Sequence, residues 1–466
     1  MIKFQSSEGR CSLTQTAIIV AILDELQNIA LAPTFSKAAA NDLLELPQWI
    51  SAGEDASLII NHKISNLIGD LASTLYDAQP AMAKAISRKD WAGLVQRVIG
   101  PLLGNTDLDA PLETSAKSIL TNLQHELATS EWNYNKHTFL FGCSFIEHLD
   151  IPPFTIGPVT VWKRDKWLDQ ALENGRVTKI SHQRLLARWT GKPVKKRKSS
   201  RDSANENAVA DAVGVALYVC TVETNGIYGE VAKEKAVMAA RFALLGVALT
   251  WDNSTKAMAG LNLVFDGLPY RQTYAFLQER PEILSGSKWV HLLNGLSLCG
   301  DLWESKIQWR ADWWETLAEA IAFWLSPDGK VLRPKLMNQF VQALIWFHEA
   351  CREPIPMIAT TKFMAALDAL ACGGKGRGIK SLITSRFGVP ENAPIRAGGP
   401  NFSKVIDELY SQGRSRLIHG SSDRIGHDWH DQRGLAESLA RITLILCLHW
   451  AADHPNSDDP KMMALP

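Results

Sequence analysis

The sequence predicts a multidomain α+β protein: a helical N-terminal region, a mixed α/β middle domain and a C-terminal all-α bundle. Three observations carry this. The chain has 466 residues, 46% apolar and 21% charged, which excludes wholesale disorder and is length enough for two to four domains. Runs rich in β-branched and aromatic residues are confined to the middle, at 154–162 and 213–224. Toward both ends apolar residues recur at helical spacing between short Gly and Pro breaks.

Region 1–130 reads as mainly helical. Ile18, Ile19, Ile22 and Leu26 share one face, with Asp24 and Glu25 off it. Further helices are expected over 55–76, 80–99 and 112–129, punctuated by Pro47, Pro80, Pro101 and Pro111. Region 131–265 reads as a mixed α/β domain with a sensory or regulatory role. In it, 154–162 is a strand or hairpin broken at Gly157-Pro158, and 165–172 is a short helix. The stretch 202–207 has the composition of a flexible connection, 213–224 reads as a strand and 231–249 as a helix. Region 266–309 is expected to be a tryptophan-containing helical connection. Trp289, Trp303, Trp309, Trp313 and Trp314 are irregularly spaced, so they read as core or interface residues rather than a ligand cage. Region 310–455 reads as an antiparallel bundle of helices near 313–325, 338–351, 361–370, 380–387, 401–419 and 435–450. Residues 456–466 read as a flexible tail.

Lys plus Arg equals Asp plus Glu at 49 each, so no chain-wide attraction draws nucleic acid; any such contact is local. The seven cysteines are scattered, with no C-x-x-C pair. They read as reduced, buried thiols of a cytoplasmic protein without a thiolate zinc site. The early apolar run 17–23 is too short to span a bilayer, and the leader lacks a signal-peptide layout, so no membrane partner is expected. One local charge cluster stands out, 192–201 (KPVKKRKSSR). It fits either a contact to an RNA backbone or a solvated loop that aids solubility, and it has no interleaved aromatics for base stacking.

The sharpest chemical feature is the segment 410–420, YSQGRSRLIHG. Phe402, Val405, Ile406, Leu409 and Leu417 define the buried stripe of its helix. At about 100° per residue, Arg414 and His419 lie about 140° apart on opposite flanks of that stripe. Sharing a site requires a bend, a long arginine reach, or copies of the segment meeting across two subunits. Gly420 is placed to cap the helix, which sets His419 in the last turn, where the helix dipole favours a proton. An arginine fork suits a phosphate, and a histidine moves protons near neutrality. Together they suit RNA cleavage by 2′-hydroxyl attack, giving a 2′,3′-cyclic phosphate and a 5′-hydroxyl. The bland alternative is a polar helix end with a capping glycine.

The run from Leu409-Tyr410 through Arg414-Ser415 to His419-Gly420 resembles the Arg-x4-His motif of HEPN domains, and is most similar to the Apea-like group. The stretch 363–370 (FMAALDAL) resembles the preceding helix of that family and 380–387 its short following helix. The similarity covers about 310–455. A further stretch, 156–161 (IGPVTV), resembles a segment of related phage-defence proteins. The resemblance implies a HEPN-like helical domain that dimerises or forms a higher oligomer. It also implies a metal-independent endoribonuclease needing no cofactor, used as a regulated toxin in phage defence and set off by a phage-derived or other activating ligand. On it, Arg414 and His419 are the catalytic pair. Ser415 is a shorter helper where Asn or Asp is common, and Asp368 a supporting residue where Glu is common; Arg416 and Gly420 complete the supporting set. Some HEPN proteins only scaffold, so a silent module that binds a protein or RNA is the alternative.

Lys375, Arg377, Lys380 and Arg386 form a basic field that could guide RNA to the motif. His427 and His430 are further candidates for the RNA cleft. With Asp428 and either Asp423 or His419 they fall short of a metal site, so no metal is expected. His348 is expected to pack in the core, and Glu349 to pair with Arg352. The stretch 373–378 (GGKGRG) lacks the order and the Ser/Thr of a phosphate loop.

Overall fold

The computed structural model describes residues 11–31, 48–53, 56–79, 81–129, 136–147, 150–266, 270–277, 283–290, 295–298, 300–308, 311–326, 331–395 and 398–465. The architecture is mostly helical with small sheets. The chain divides into two compact units: residues 1–137, 224–235 and 325–328 in one, and the rest in the other.

The first unit packs the helices Cys11–Leu31, His62–Asp77, Arg88–Gly104 and Leu112–Thr129 around Ile19, Ile22, Leu23, Leu71, Val95, Ile99 and Leu123. Asn61 caps the His62–Asp77 helix through its side chain and donates to Glu25 at 2.7 Å, and Lys63 pairs with the same carboxylate. The expected helix at 55–76 therefore begins later. Residues Ala56–Ile60 instead form an antiparallel hairpin with Gln48–Gly53. A Cβ added at Gly100 would fall 2.0 Å from the Ser51 carbonyl oxygen, so glycine is what lets the hairpin backbone lie on this helix. The helix runs through Pro101 to Gly104 rather than ending near 99.

The second unit holds all but two residues at one end of each of the first two strands of a four-stranded sheet, in the order Lys136–Cys143, Tyr218–Asn225, Val159–Lys163, Phe154–Ile156. The last two strands form the expected hairpin, turning at Gly157 with φ +56°. The glycine also sits hard against Ala318, 2.9 Å from its carbonyl oxygen to an added Cβ. Phe154 contacts Trp303 and Trp314 at ring separations of 5.4 and 5.1 Å, and Trp313 is fully buried. These three tryptophans are core residues; the side chains of Trp289 and Trp309 lie outside the described residues.

Several expectations are corrected. Residues 202–207 are not a flexible connection but part of the helix Ser200–Val213, because Ser199 caps it and Glu206, only 2% exposed, is gripped by Arg184 at 2.6 Å. Region 266–309 is not a helical connection throughout. Tyr270–Leu277 and Ile283–Val290 pair as an antiparallel hairpin, consistent with their Tyr, Thr, Phe, Ile and Val content, and only Gly300–Gln308 is helical. The 456–466 tail folds back: Met463 is fully buried, and the Leu465 carbonyl accepts from Arg386 at 2.7 Å and from Ser385.

The middle and C-terminal regions, expected as separate domains, share one unit because buried polar groups join them. Glu437, 4% exposed, accepts from the Thr255 amide and hydroxyl, each at 2.8 Å. Arg352 donates to Asn262 and to the Asp266 carbonyl at 2.6 Å, so it is not the partner of Glu349. Glu349 instead meets His348 at 3.3 Å and Lys362 at 3.9 Å. The helix His430–Asp453 is the one helix among the described residues long and apolar enough to cross a membrane. Two-thirds of that apolar stretch (67%) is buried, the pattern of a core helix.

Two outcomes follow. A fragment of residues 310–466 is expected to be insoluble or molten by near-ultraviolet circular dichroism. It exposes Trp313, Trp314 and Leu317 and strips Glu437 of both partners. Second, His348 is fully buried, and burial with nearby Arg352 and Arg241 pushes its imidazole below the usual 6.5. The unfolded chain then binds the proton more readily. Stability is highest above pH 6.5 and falls as pH drops below it, a trend Glu349, itself lowered by its hydrogen bond to His348, extends downward. Denaturant midpoints measured from pH 7.5 to 5 are expected to fall, and His348→Leu to flatten that slope.

Candidate active site at the Arg414–His419 segment

The segment lies on one long helical run, 402–418, but not on a regular α-helix. Asn401 caps the start, accepting from the Lys404 amide at 2.8 Å. Phe402–Tyr410 is α-helical, Ser411–Ser415 widens into a π turn in which the Arg416 amide reaches back to the Ser411 carbonyl, and Arg416–Ile418 returns to α geometry. Such π turns recur at functional positions.

The neighbours explain the widening. A Cβ at Gly413 would lie 2.9 Å from the Thr360 Cγ2 and 3.6 Å from the Trp429 ring, so this turn presses directly on the helix Pro356–Leu370. The Thr361 hydroxyl reaches the Gly413 carbonyl at 2.5 Å, satisfying an oxygen in the π turn. Trp429, buried, donates through Nε1 to the Arg424 carbonyl at 3.1 Å and pins the following loop.

Arg414 turns inward. Its Nη2 lies 2.8 Å from the Asp368 carboxylate, its Nη1 donates to the Tyr410 hydroxyl at 2.6 Å, and the guanidinium carbon sits 5.2 Å from the Tyr410 ring centre. Asp368 is 7% exposed and also accepts from the Lys375 amide at 2.9 Å. That amide is aimed by a turn in which Cys372 and Lys375 both take left-handed conformations, φ +54° and +56°. Non-glycine residues adopt these only where the surroundings demand it. Burial, then the Asp368 charge, raises the Tyr410 hydroxyl above its usual range, partly offset by Arg414.

His419 faces the other way. Gly420 takes φ +69°, its amide bonds the Leu417 carbonyl at 3.2 Å and the Ser421 amide bonds the Arg416 carbonyl at 2.8 Å, the Schellman arrangement. The ring of His419 is exposed at this helix end and has no hydrogen-bond or ionic partner among the described residues. No such contact joins it to Arg414 within the chain.

The supporting residues divide. Asp368 and Gly420 stand at the positions just described. Ser415 contributes its carbonyl to the His419 amide at 3.0 Å, and Arg416 is exposed, 3.6 Å from Asp423. Of the basic field, Arg386 is occupied elsewhere, bonded to the Leu465 carbonyl with its guanidinium 5.5 Å from the centre of the Trp450 ring. Lys380 pairs with Asp407 at 2.6 Å. Lys375 and Arg377 remain exposed at the start of the helix Lys375–Phe387, which begins earlier than expected. His427 is exposed. His430 opens the helix His430–Asp453, where its ring and amide both meet Asp428, at 2.6 and 2.9 Å. The amide first, then the ring, lower the Asp428 carboxyl. Among the described residues no group of three or more His, Cys, Asp or Glu is placed to hold a metal ion.

Sequence reasoning missed Tyr410, Thr360, Thr361 and Trp429 as parts of this site. Tyr410 lies four residues before Arg414, a helical-neighbour spacing that could have flagged it. The threonines act from another helix and carry no local signal. No family model, curated protein or solved structure matches the chain.

Replacing Gly413 with valine is expected to lower stability by about 1–3 kcal/mol, read from the denaturant midpoint, because the branch overlaps Thr360 and Trp429. An unchanged midpoint would show that the π turn yields freely.

Proposed function

We propose that the chain is a HEPN-like endoribonuclease, active without metal, whose site is completed by a second copy of the chain. The observation that carries the reading is the division of labour along 410–420. The arginine is held by a buried carboxylate and a tyrosine, and the histidine stands free at a capped helix end five residues on. Two such ends brought together supply two arginines and two histidines around one phosphate. Ile418, next to His419 in the chain, and Ile425 are 60% and 69% exposed and offer apolar area for self-association.

The chemistry is internal transesterification. The ribose 2′-oxygen attacks phosphorus as one His419 takes its proton. The bond from phosphorus to the 5′-oxygen breaks, and that oxygen receives a proton from the His419 of the other copy. Arg414 steadies charge on the non-bridging oxygens. The products are a 2′,3′-cyclic phosphate and a 5′-hydroxyl, and DNA, lacking the nucleophile, survives. A regulated role in phage defence follows from the family resemblance, with the activating ligand acting on the remainder of the chain.

A second reading is favoured by one feature. Arg414 already has Asp368 as counter-ion, so a phosphate must compete with that carboxylate. If it fails, the domain is a silent interaction module. Labelled RNA incubated with full-length protein in EDTA discriminates. Cleavage is expected, with Arg414→Ala and His419→Ala each losing about 10²–10⁴-fold in rate, His419→Ala at an unchanged thermal midpoint and Arg414→Ala at a lowered one because Asp368 loses its counter-ion. Cutting by both variants at the wild-type rate would reject the pair.

A further inference from the structure

We infer that the segment 163–201 is a docking surface for the RNA phosphate backbone; the inference rests on RNA being the substrate. This stretch holds thirteen Lys or Arg against three Asp or Glu, a net +10 in a chain whose total is zero, leaving the rest of the chain at −10. Such a concentration of one sign creates a local field that the composition as a whole hides.

The fold makes this a built surface. The loop after the helix Lys179–Trp189 is held from below by two arginines that converge on the buried Glu206. Arg184 contacts Glu206 at 2.6 Å and donates to the Lys195 carbonyl at 2.6 Å; Arg197 contacts Glu206 at 3.5 Å and Asp202 at 2.8 Å. The carboxylates of Glu206 and Asp202 are therefore committed. Asp169 is likewise paired with His182 at 2.8 Å, and Asp165 with Arg164 at 3.4 Å. Lys192, Lys195, Lys196, Lys198 and Arg201 are exposed, and their side chains have no acidic partner among the described residues. A solvated loop needs no such anchoring, and its lysines would gain by pairing with nearby acids.

The partner chemistry follows from what the surface lacks. Trp162 donates to Thr221 and Trp189 lies under Arg164 at 5.3 Å, so these nearby indoles are engaged within the fold. With its charge concentrated in a loop, 192–201, that holds no aromatic residue, the surface reads backbone phosphates, not bases, and binds without sequence preference.

The test is fluorescence anisotropy of full-length His419→Ala protein, which leaves the labelled RNA uncut, titrated across salt. Five contacts predict a slope of log affinity on log salt of about −3.5 for a single strand. The variant K192Q/K195Q/K196Q/K198Q is expected to lose at least tenfold in affinity at about 0.1 M salt and most of the slope. The corresponding four-arginine variant should keep both, and a DNA strand of the same sequence should bind alike. Unchanged affinity and slope in the glutamine variant would overturn the inference. So would wild-type binding to vesicles containing phosphatidylserine with none to RNA. Binding through these lysines with no cleavage by wild type would sink the nuclease reading alone; cleavage with an indifferent glutamine variant would sink this surface alone.

Discussion

Asp368 is the group on which the C-terminal site depends. One nearly buried carboxylate fixes the turn after its own helix through the Lys375 amide, and holds the Arg414 guanidinium on a second helix. A carboxylate removed from water needs such partners to remain charged, and the partners need it equally. The cost of this arrangement appears in the backbone, where Cys372 and Lys375 are held left-handed so that one amide can point inward.

The same physics joins the second unit. Glu437 and Asp266 each sit where chain segments far apart in sequence must converge. Glu437 bridges to Thr255 across 182 residues, and Asp266 is gripped by Arg241 at 2.5 Å and approached by Arg352 at 3.8 Å. Apolar packing brings these segments close. The buried carboxylates then select one register, because a displaced partner would leave a charge without compensation.

Arg414 and His419 meet opposite surroundings. The arginine is held in place by Asp368 and Tyr410, and the histidine is exposed at the capped helix end.

The sequence by itself determined most helices and the hairpin within 154–162, because their signals are local: apolar spacing, a capping Gly420 and a Gly-Pro turn. The tertiary structure decided the rest. The widening of the helix at Ser411–Ser415 follows from Gly413 pressing on Thr360 and from the Thr361 hydroxyl, neither legible along the chain. The helix across 202–207 is anchored by Glu206 meeting arginines from another helix and a loop, and the closing segment is ordered by burial of Met463. In each case a polar or flexible local composition was overridden by a partner distant in sequence, whose position no periodicity encodes.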